Sequence, residues 1–258
     1  MVAGLLLGSG LALGACGDFD ITNENAPTQD NLTDNPSRAV LARAAQGIFG
    51  GVLANGVHTG FLSDVGAEIQ QYGIYGRELY NLLGNDPRET GEEIRGPQDP
   101  AGRAGASWAN KYASIRTINT YLTAIDNTTE YSAAEKSAAR GWALTMKANL
   151  FHRLVVRSGP TGIPIDVDRP ITADPAPFVS EEQAYEHVVD LLEEAATLLA
   201  AGGGEFPFTF APGWTGFTTP QTFLRFNQAL LAKVRINQAT LGGCGAPCFT
   251  AALTALGG

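Results

Sequence analysis

Apolar residues recur along this chain at steps of three and four, the spacing that lines them up on one face of a helix. Asn35-Pro36 can cap and start a helix reaching about Ala54, with Val40, Leu41, Ala44, Ile48 and Leu53 as an approximate apolar face. Over residues 105 to 126 the repeat is Trp108, Tyr112, Ile115, Ile118, Leu122 and Ile125. Ser132-Ala-Ala-Glu135 is a capping box, and the helix it opens carries Trp142, Met146, Leu150 and Leu154 before Gly159-Pro160 stops it. Ser180-Glu-Glu-Gln183 is a second box, followed by Tyr185, Val188, Val189, Leu192, Ala196 and Leu199 up to Gly202-Gly203-Gly204. Thr219-Pro220 opens a helix with Phe223, Phe226, Leu230 and Val234 on one side, closed by Leu241-Gly242-Gly243. A short helix from Phe249 to Leu256 ends the pattern, and no stretch shows a convincing strand period.

Helices with one apolar face must pack on each other to bury it, so the pattern predicts an all-α fold of stacked antiparallel helical hairpins. Trp108 and Trp142 stand 34 residues apart, the tetratricopeptide period, although that repeat's consensus is absent. At helical spacing both tryptophans are expected in the core. Three long irregular loops interrupt the helices, at residues 57 to 104, 158 to 179 and 202 to 218. The second holds Pro160, Pro164, Pro170, Pro175 and Pro177, which stiffen it and keep it out of a helix.

The N-terminus changes the picture. Residues 1 to 15 are uncharged and dominated by apolar residues and glycine, matching the apolar region of a secretory signal and too short to span a bilayer. Leu13-Gly14-Ala15-Cys16 resembles the lipobox of bacterial lipoproteins, in which the cysteine is acylated and becomes the first residue of the mature chain. Several acyl chains make a stable membrane anchor. A signal begins with basic residues, whereas the first Lys or Arg here is Arg38, so the true start is expected upstream of Met1. Residues 16 to 35 read as an acidic tether: Asp18, Asp20, Glu24, Asp30 and Asp34 stand among Asn, Thr and Pro with no basic residue. The helical body is then residues 36 to 258.

The chain of 258 residues is 44% hydrophobic, enough for one substantial core, and carries a net charge of −9. That balance argues against nucleic acid or an anionic membrane surface as partner. Beyond Cys16 the only cysteines are Cys244 and Cys248, which in an exported protein could form a local disulfide. A metal site needs about four ligands, and no Cys or His cluster supplies the others. The histidines His58, His152 and His187 are scattered, and no nucleophile elbow, Glu-x-x-His pair or phosphate loop is present, so no catalytic residues, metal or cofactor are assigned.

Several separated stretches resemble the SusD/RagB family of outer-membrane lipoproteins. They are the run Asp18 to Thr28 after the lipobox cysteine, Leu62-Ser63-Asp64, and the Trp108, Tyr112, Ile115, Asn119 spacing. Ala138-Ala139-Arg140-Gly141-Trp142-Ala143 leads through Phe151, Leu154 and Val155 to Gly162-Ile163-Pro164, the most recognisable stretch. Tyr185 with Asp190-Leu191 and Ala195, then Ala229 to Val234, complete the match. Arg157-Ser158-Gly159 departs from it, standing where the family tends to have an aromatic-glycine pair. The match spans about the first half of a typical member, so the body is expected to be incomplete at its C-terminal end.

The resemblance implies a tetratricopeptide-like, SusD-type scaffold without catalytic activity. It would be lipid-anchored on the outer membrane, face the exterior, bind an oligosaccharide or other nutrient, and deliver it to a SusC-like TonB-dependent transporter. A helical adaptor lipoprotein that binds only protein partners is the alternative. Tyr72, Tyr75 and Tyr80 lie in the segment that in this family is near the ligand face, and Trp214 stands between glycines in the third loop. Sugar rings stack their C–H faces on such aromatic planes without requiring charge. Equally, the tyrosines could anchor their own loop, and Trp214 could pack with Phe206, Phe208, Phe210 and Phe217.

Overall fold

The computed structural model describes residues 32–54, 103–170 and 172–257. Cys16, the signal and tether, Leu62-Ser63-Asp64, and the loop with Tyr72, Tyr75 and Tyr80 lie outside the described residues. Among the described residues the chain is mostly helical, and no helix is long and apolar enough to cross a membrane. In chain order the helices are α1 (Arg38–Ala54), α2 (Arg103–Asn127), α3 (Ala133–Ser158), α4 (Glu181–Ala200), α5 (Pro220–Thr240) and α6 (Ala246–Ala255).

Local chemistry sets the helix ends. At α3 the Ser132 side chain accepts from the Glu135 N–H at 3.3 Å, while the Glu135 carboxylate accepts from the Ser132 N–H at 2.9 Å. Ser180 and Gln183 repeat the arrangement at α4. Thr219 and Thr222 repeat it at α5, where Pro220 fills the first turn at a position needing no N–H. Asn35 adopts φ +50, a conformation asparagine tolerates better than most residues, and its side chain accepts from the Thr129 N–H at 2.9 Å. That bond ties the entry of α1 to the exit of α2.

Consecutive helices pack side by side, and their contacts give the directions. Arg140 of α3 meets Asp126 of α2 at 2.6 Å, while Tyr112 and Phe151 meet further along, so α2 and α3 run antiparallel. Ser137 donates to the Leu198 carbonyl at 2.9 Å and Phe151 packs on His187, so α3 and α4 are antiparallel too. Asn227 donates to Thr145 at 2.9 Å, and Asn237 stands 3.0 Å from His152, which makes α5 parallel to α3. Of these helices, α3 touches α2, α4 and α5 and is the spine of the fold.

The residues of α3 explain why it can be a spine. Ala138, Ala139, Gly141, Trp142 and Ala143 are all buried. A Cβ on Gly141 would lie 2.8 Å from Leu199 Cγ and 2.9 Å from the Ala195 carbonyl, so its absence lets α4 approach. Trp142, fully buried, points its bulk into a hub of Phe49, Phe208 and Tyr121, with centroids 4.8, 4.8 and 5.9 Å away. Trp108, expected in the core as well, is only half-buried.

Three local expectations change. In α1 the core positions are Leu41, Ala45, Ile48, Phe49 and Val52, while Val40 and Ala44 are half-buried. Small residues, Ala and Gly, blur the apolar face of this helix, so its neighbours α2, Trp142 and the third loop select the side that is buried. The second loop does contain strands: β1 (Ile163–Pro164) pairs antiparallel with β2 (Phe178–Val179), joining Ile163 to Val179 and Pro164 to Phe178. Two residues are too few to show a period. Last, α6 starts at Ala246, before the expected Phe249, because Gly245 at φ +64 turns the chain directly into Ala246-Pro247.

Candidate functional site

Trp214, the one described member of the expected aromatic set, sits in a ring cluster. Its neighbours are Phe226, Phe49, Phe223 and Phe210, with centroids at 5.1, 5.7, 5.7 and 6.2 Å. The cluster continues through Phe206 and Phe208 into the Trp142 hub. Trp214 is half-buried, and the loop is held by Gln46, which donates its amide to the Thr209 carbonyl. The third loop is therefore a lid of aromatic rings packed on α1 and α5, with Phe217 left at its edge against Phe226.

Beside this lid runs an open groove of about 910 Å³ between the start of α1, the start of α3 and residues 202 to 209. Among the described residues that line it the one cation is already engaged: Arg38 pairs with Glu135 at 2.8 Å, donates to the Glu130 carbonyl at 2.9 Å and lies over the Tyr131 ring. The guanidinium and the capping hydrogen bonds hold the Glu135 carboxyl down at about 2. Acidic residues, glycines and the apolar side chains of Ala42, Phe206 and Phe208 share the groove's lining, which offers no cation free to hold a phosphate among the described residues.

A different open aromatic ring comes from the second loop. Phe178, on β2, is 58% exposed and stacks on Trp108 with planes 12° apart and centroids 6.1 Å apart. Trp108 leans on Tyr112, whose hydroxyl donates to the Pro164 carbonyl of β1 at 2.9 Å. The strand pair and this hydrogen bond thus present Phe178 from a rigid base. Sequence reasoning passed over Phe178, although a large aromatic flanked by Pro177 and a helix cap was a visible signal.

Ionisable groups among the described helices are placed for packing. His152 is 3% exposed, and burial, with Lys233 and Arg153 nearby, lowers it to about 4. Its Nε2 faces the Asn237 amide nitrogen, which can only donate, so the ring is neutral. Burial likewise lowers His187, assisted by Lys147. Among the described residues no group of three or more His, Cys, Asp or Glu could hold a metal ion. Cys244 and Cys248 are bonded to each other across the α5–α6 turn, with Cys248 buried.

The state of His152 yields a pH expectation. The folded ring resists protonation until about pH 4, whereas an unfolded histidine takes its proton near 6.5. Between those values the unfolded chain holds more protons, so stability falls as pH falls through that window. Urea unfolding at pH 7 and pH 5 should show wild type losing about 2 kcal/mol more than His152→Gln. Equal losses would show that His152 titrates normally in the fold.

No protein-family model, curated protein or solved structure matches this chain.

Proposed function

We propose that this chain is the helical scaffold of a surface lipoprotein that binds a glycan or other nutrient and delivers it to a SusC-like TonB-dependent transporter. The observation that carries the reading is the order of features in the sequence. A lipobox cysteine, an acidic tether and then the separated motifs of α2 to α5 follow one another as in the SusD/RagB family they resemble. The motif residues Gly141 and Trp142 do packing work at the centre of α3, which fits a shared tetratricopeptide-like stacking of hairpins. The reading assigns no catalytic role.

Full-length protein extracted from its own membranes in mild detergent should bring down a large TonB-dependent barrel. It should also incorporate a fatty-acid analogue that Cys16→Ser does not. Equal labelling of the two sinks the anchor, and recovery of soluble partners alone supports the adaptor reading. For that reading the exposed pair Phe249 and Leu253 on α6, with Leu256 just past its end, is the favouring observation.

Phe178 supports the glycan side of the proposal. An open ring on a fixed base can bury the C–H face of a sugar. Calorimetry with a glycan panel should find Phe178→Ala about 5- to 30-fold weaker than wild type for a ligand that wild type binds, with helical circular dichroism unchanged. Unchanged affinity removes Phe178 from the site and returns attention to Tyr72, Tyr75, Tyr80 and Trp214.

A further inference from the structure

The helices α3, α4 and α5 each open on a side-chain capping box, and α6 does not. Its N-cap is Gly245, no side chain caps its first turn, and no acidic residue stands there. Isolated helices shorter than about 12–15 residues are marginal in water because the first turn is costly to form, and α6 has 10. Packing adds little. Only Cys248 and Ala252 of α6 are buried, and with Ala232 and Ala239 of α5 they are small side chains standing apart from the contiguous core. The turn before α6 is tied to α5, since the Cys244 N–H donates to the Gln238 carbonyl and the Gly245 N–H to the Ala239 carbonyl, each at 3.2 Å. The side-chain link from that fixed turn to the first turn of α6 is the Cys244–Cys248 disulfide, which stands where the other helices have a cap.

We propose that this disulfide is a redox latch: reduction by a protein dithiol frees the first turn of α6 and so releases the helix from α5. The chemistry has a direction. Cys244 is half-buried in the turn whereas Cys248 is 3% exposed, so an incoming thiolate reaches the Cys244 sulfur. Attack there forms a mixed disulfide on Cys244 and breaks the Cys244–Cys248 bond, whose electron pair leaves on Cys248 Sγ. Cys248 is the third residue of α6, and a helix N-terminus favours a thiolate, which makes it the better leaving group. The second thiolate of the reductant then displaces Cys244. The reductant ends as a disulfide, and the two protons its thiols lose are taken up by Cys244 and Cys248. The loop closed by the bond is small, so its loss leaves the core shared by α3, α4 and α5 standing. Oxidation holds the exposed Phe249 and Leu253 one turn apart on α6, and reduction disperses them. The latch depends on neither the glycan nor the transporter reading.

The test is hydrogen–deuterium exchange, read by mass spectrometry, on the full-length Cys16→Ser chain before and after reduction with dithiothreitol in native buffer. Peptides within 246–257 should exchange at least about tenfold faster once reduced, while those of α3 and α4 keep their protection. Reoxidation with diamide should restore the slow exchange. The Cys244→Ser/Cys248→Ser chain should exchange like the reduced protein without any reductant. A brief pulse of glutathione, quenched in acid, should leave its adduct on Cys244, located by fragment masses. Unchanged exchange within 246–257 after complete reduction overturns the latch, and so does loss of protection throughout α3 and α4, the mark of a general structural staple. A bond that dithiothreitol reduces only after urea has unfolded the chain overturns it as well, and an adduct on Cys248 overturns the direction of attack.

Discussion

Trp142→Ala is expected to destabilise the fold by about 3–5 kcal/mol, the range for deleting a large aromatic side chain from a core. The indole is completely buried and meets rings from three other places in the chain: Phe49 of α1, Tyr121 of α2 and Phe208 of the third loop. Those neighbours sit on separate elements that are pinned elsewhere, by Asn35 to Thr129 and by Gln46 to Thr209, so they cannot easily close the void. A void without partner atoms forfeits the contacts of everything lining it. Urea unfolding followed by circular dichroism measures the loss. Trp142→Phe, which keeps a ring in place, should lose much less. A cost below about 1 kcal/mol for the alanine variant would mean that the hub collapses and that α3 is not the spine described above.

Gly162→Ala should be the most damaging small substitution, costing about 3 kcal/mol or more. Gly162 adopts φ +70 and ψ −172, a combination essentially reserved for glycine, and forcing another residue there costs of order 1–3 kcal/mol by itself. A Cβ at this position would stand 1.8 Å from the Val179 carbonyl oxygen, closer than any contact allows. The β1–β2 pair would therefore have to part, and with it the base that supports Phe178. The variant should lose stability and ligand affinity together. Gly50→Ala is the contrasting control: it is an exposed helical glycine with nothing within 4 Å of an added Cβ, and alanine should stabilise α1 by about 0.5–1 kcal/mol. If both variants behave alike, the close approach at Gly162 is not what holds the loop.

Much of the scaffold was legible because its signals are local. Ser132 and Glu135, Ser180 and Gln183, and Thr219 before Pro220 each act within one helical turn, and the helices begin where these residues say. Gly159-Pro160 ends α3 for an equally local reason, since the N–H of Gly159 closes on the Val155 carbonyl and the chain then leaves the helix. The identity of Trp142 as core followed from spacing, because a helix has room for one large side chain per turn on its buried face.

The candidate sites were far less legible, because they are made by residues distant in sequence. Phe178 looked like one more loop residue until Gly162 brought β1 beside β2 and Trp108 came beneath the ring. Trp214 carried two readings that composition could not separate; its packing against Phe49 and Phe226 depends on where α1 and α5 lie. Asn119 was visible as one member of a spaced motif on α2, and only the absence of a partner across the fold marks its amide as unusual.

By itself, then, the sequence determined the helical class of the fold, the start and stop of most described helices and the net acidic charge of the chain. Those properties depend on backbone chemistry within a turn or on summed composition, neither of which needs a partner. Tertiary structure alone decided which face of α1 is inside, that α5 lies parallel to α3, that Phe178 rather than Trp108 is the exposed ring, and that Asn119 is buried with its amide unmatched. An apolar face and an aromatic ring become core or platform only through what packs beside them. That choice is made by shape and by the obligation to satisfy polar atoms across long stretches of chain.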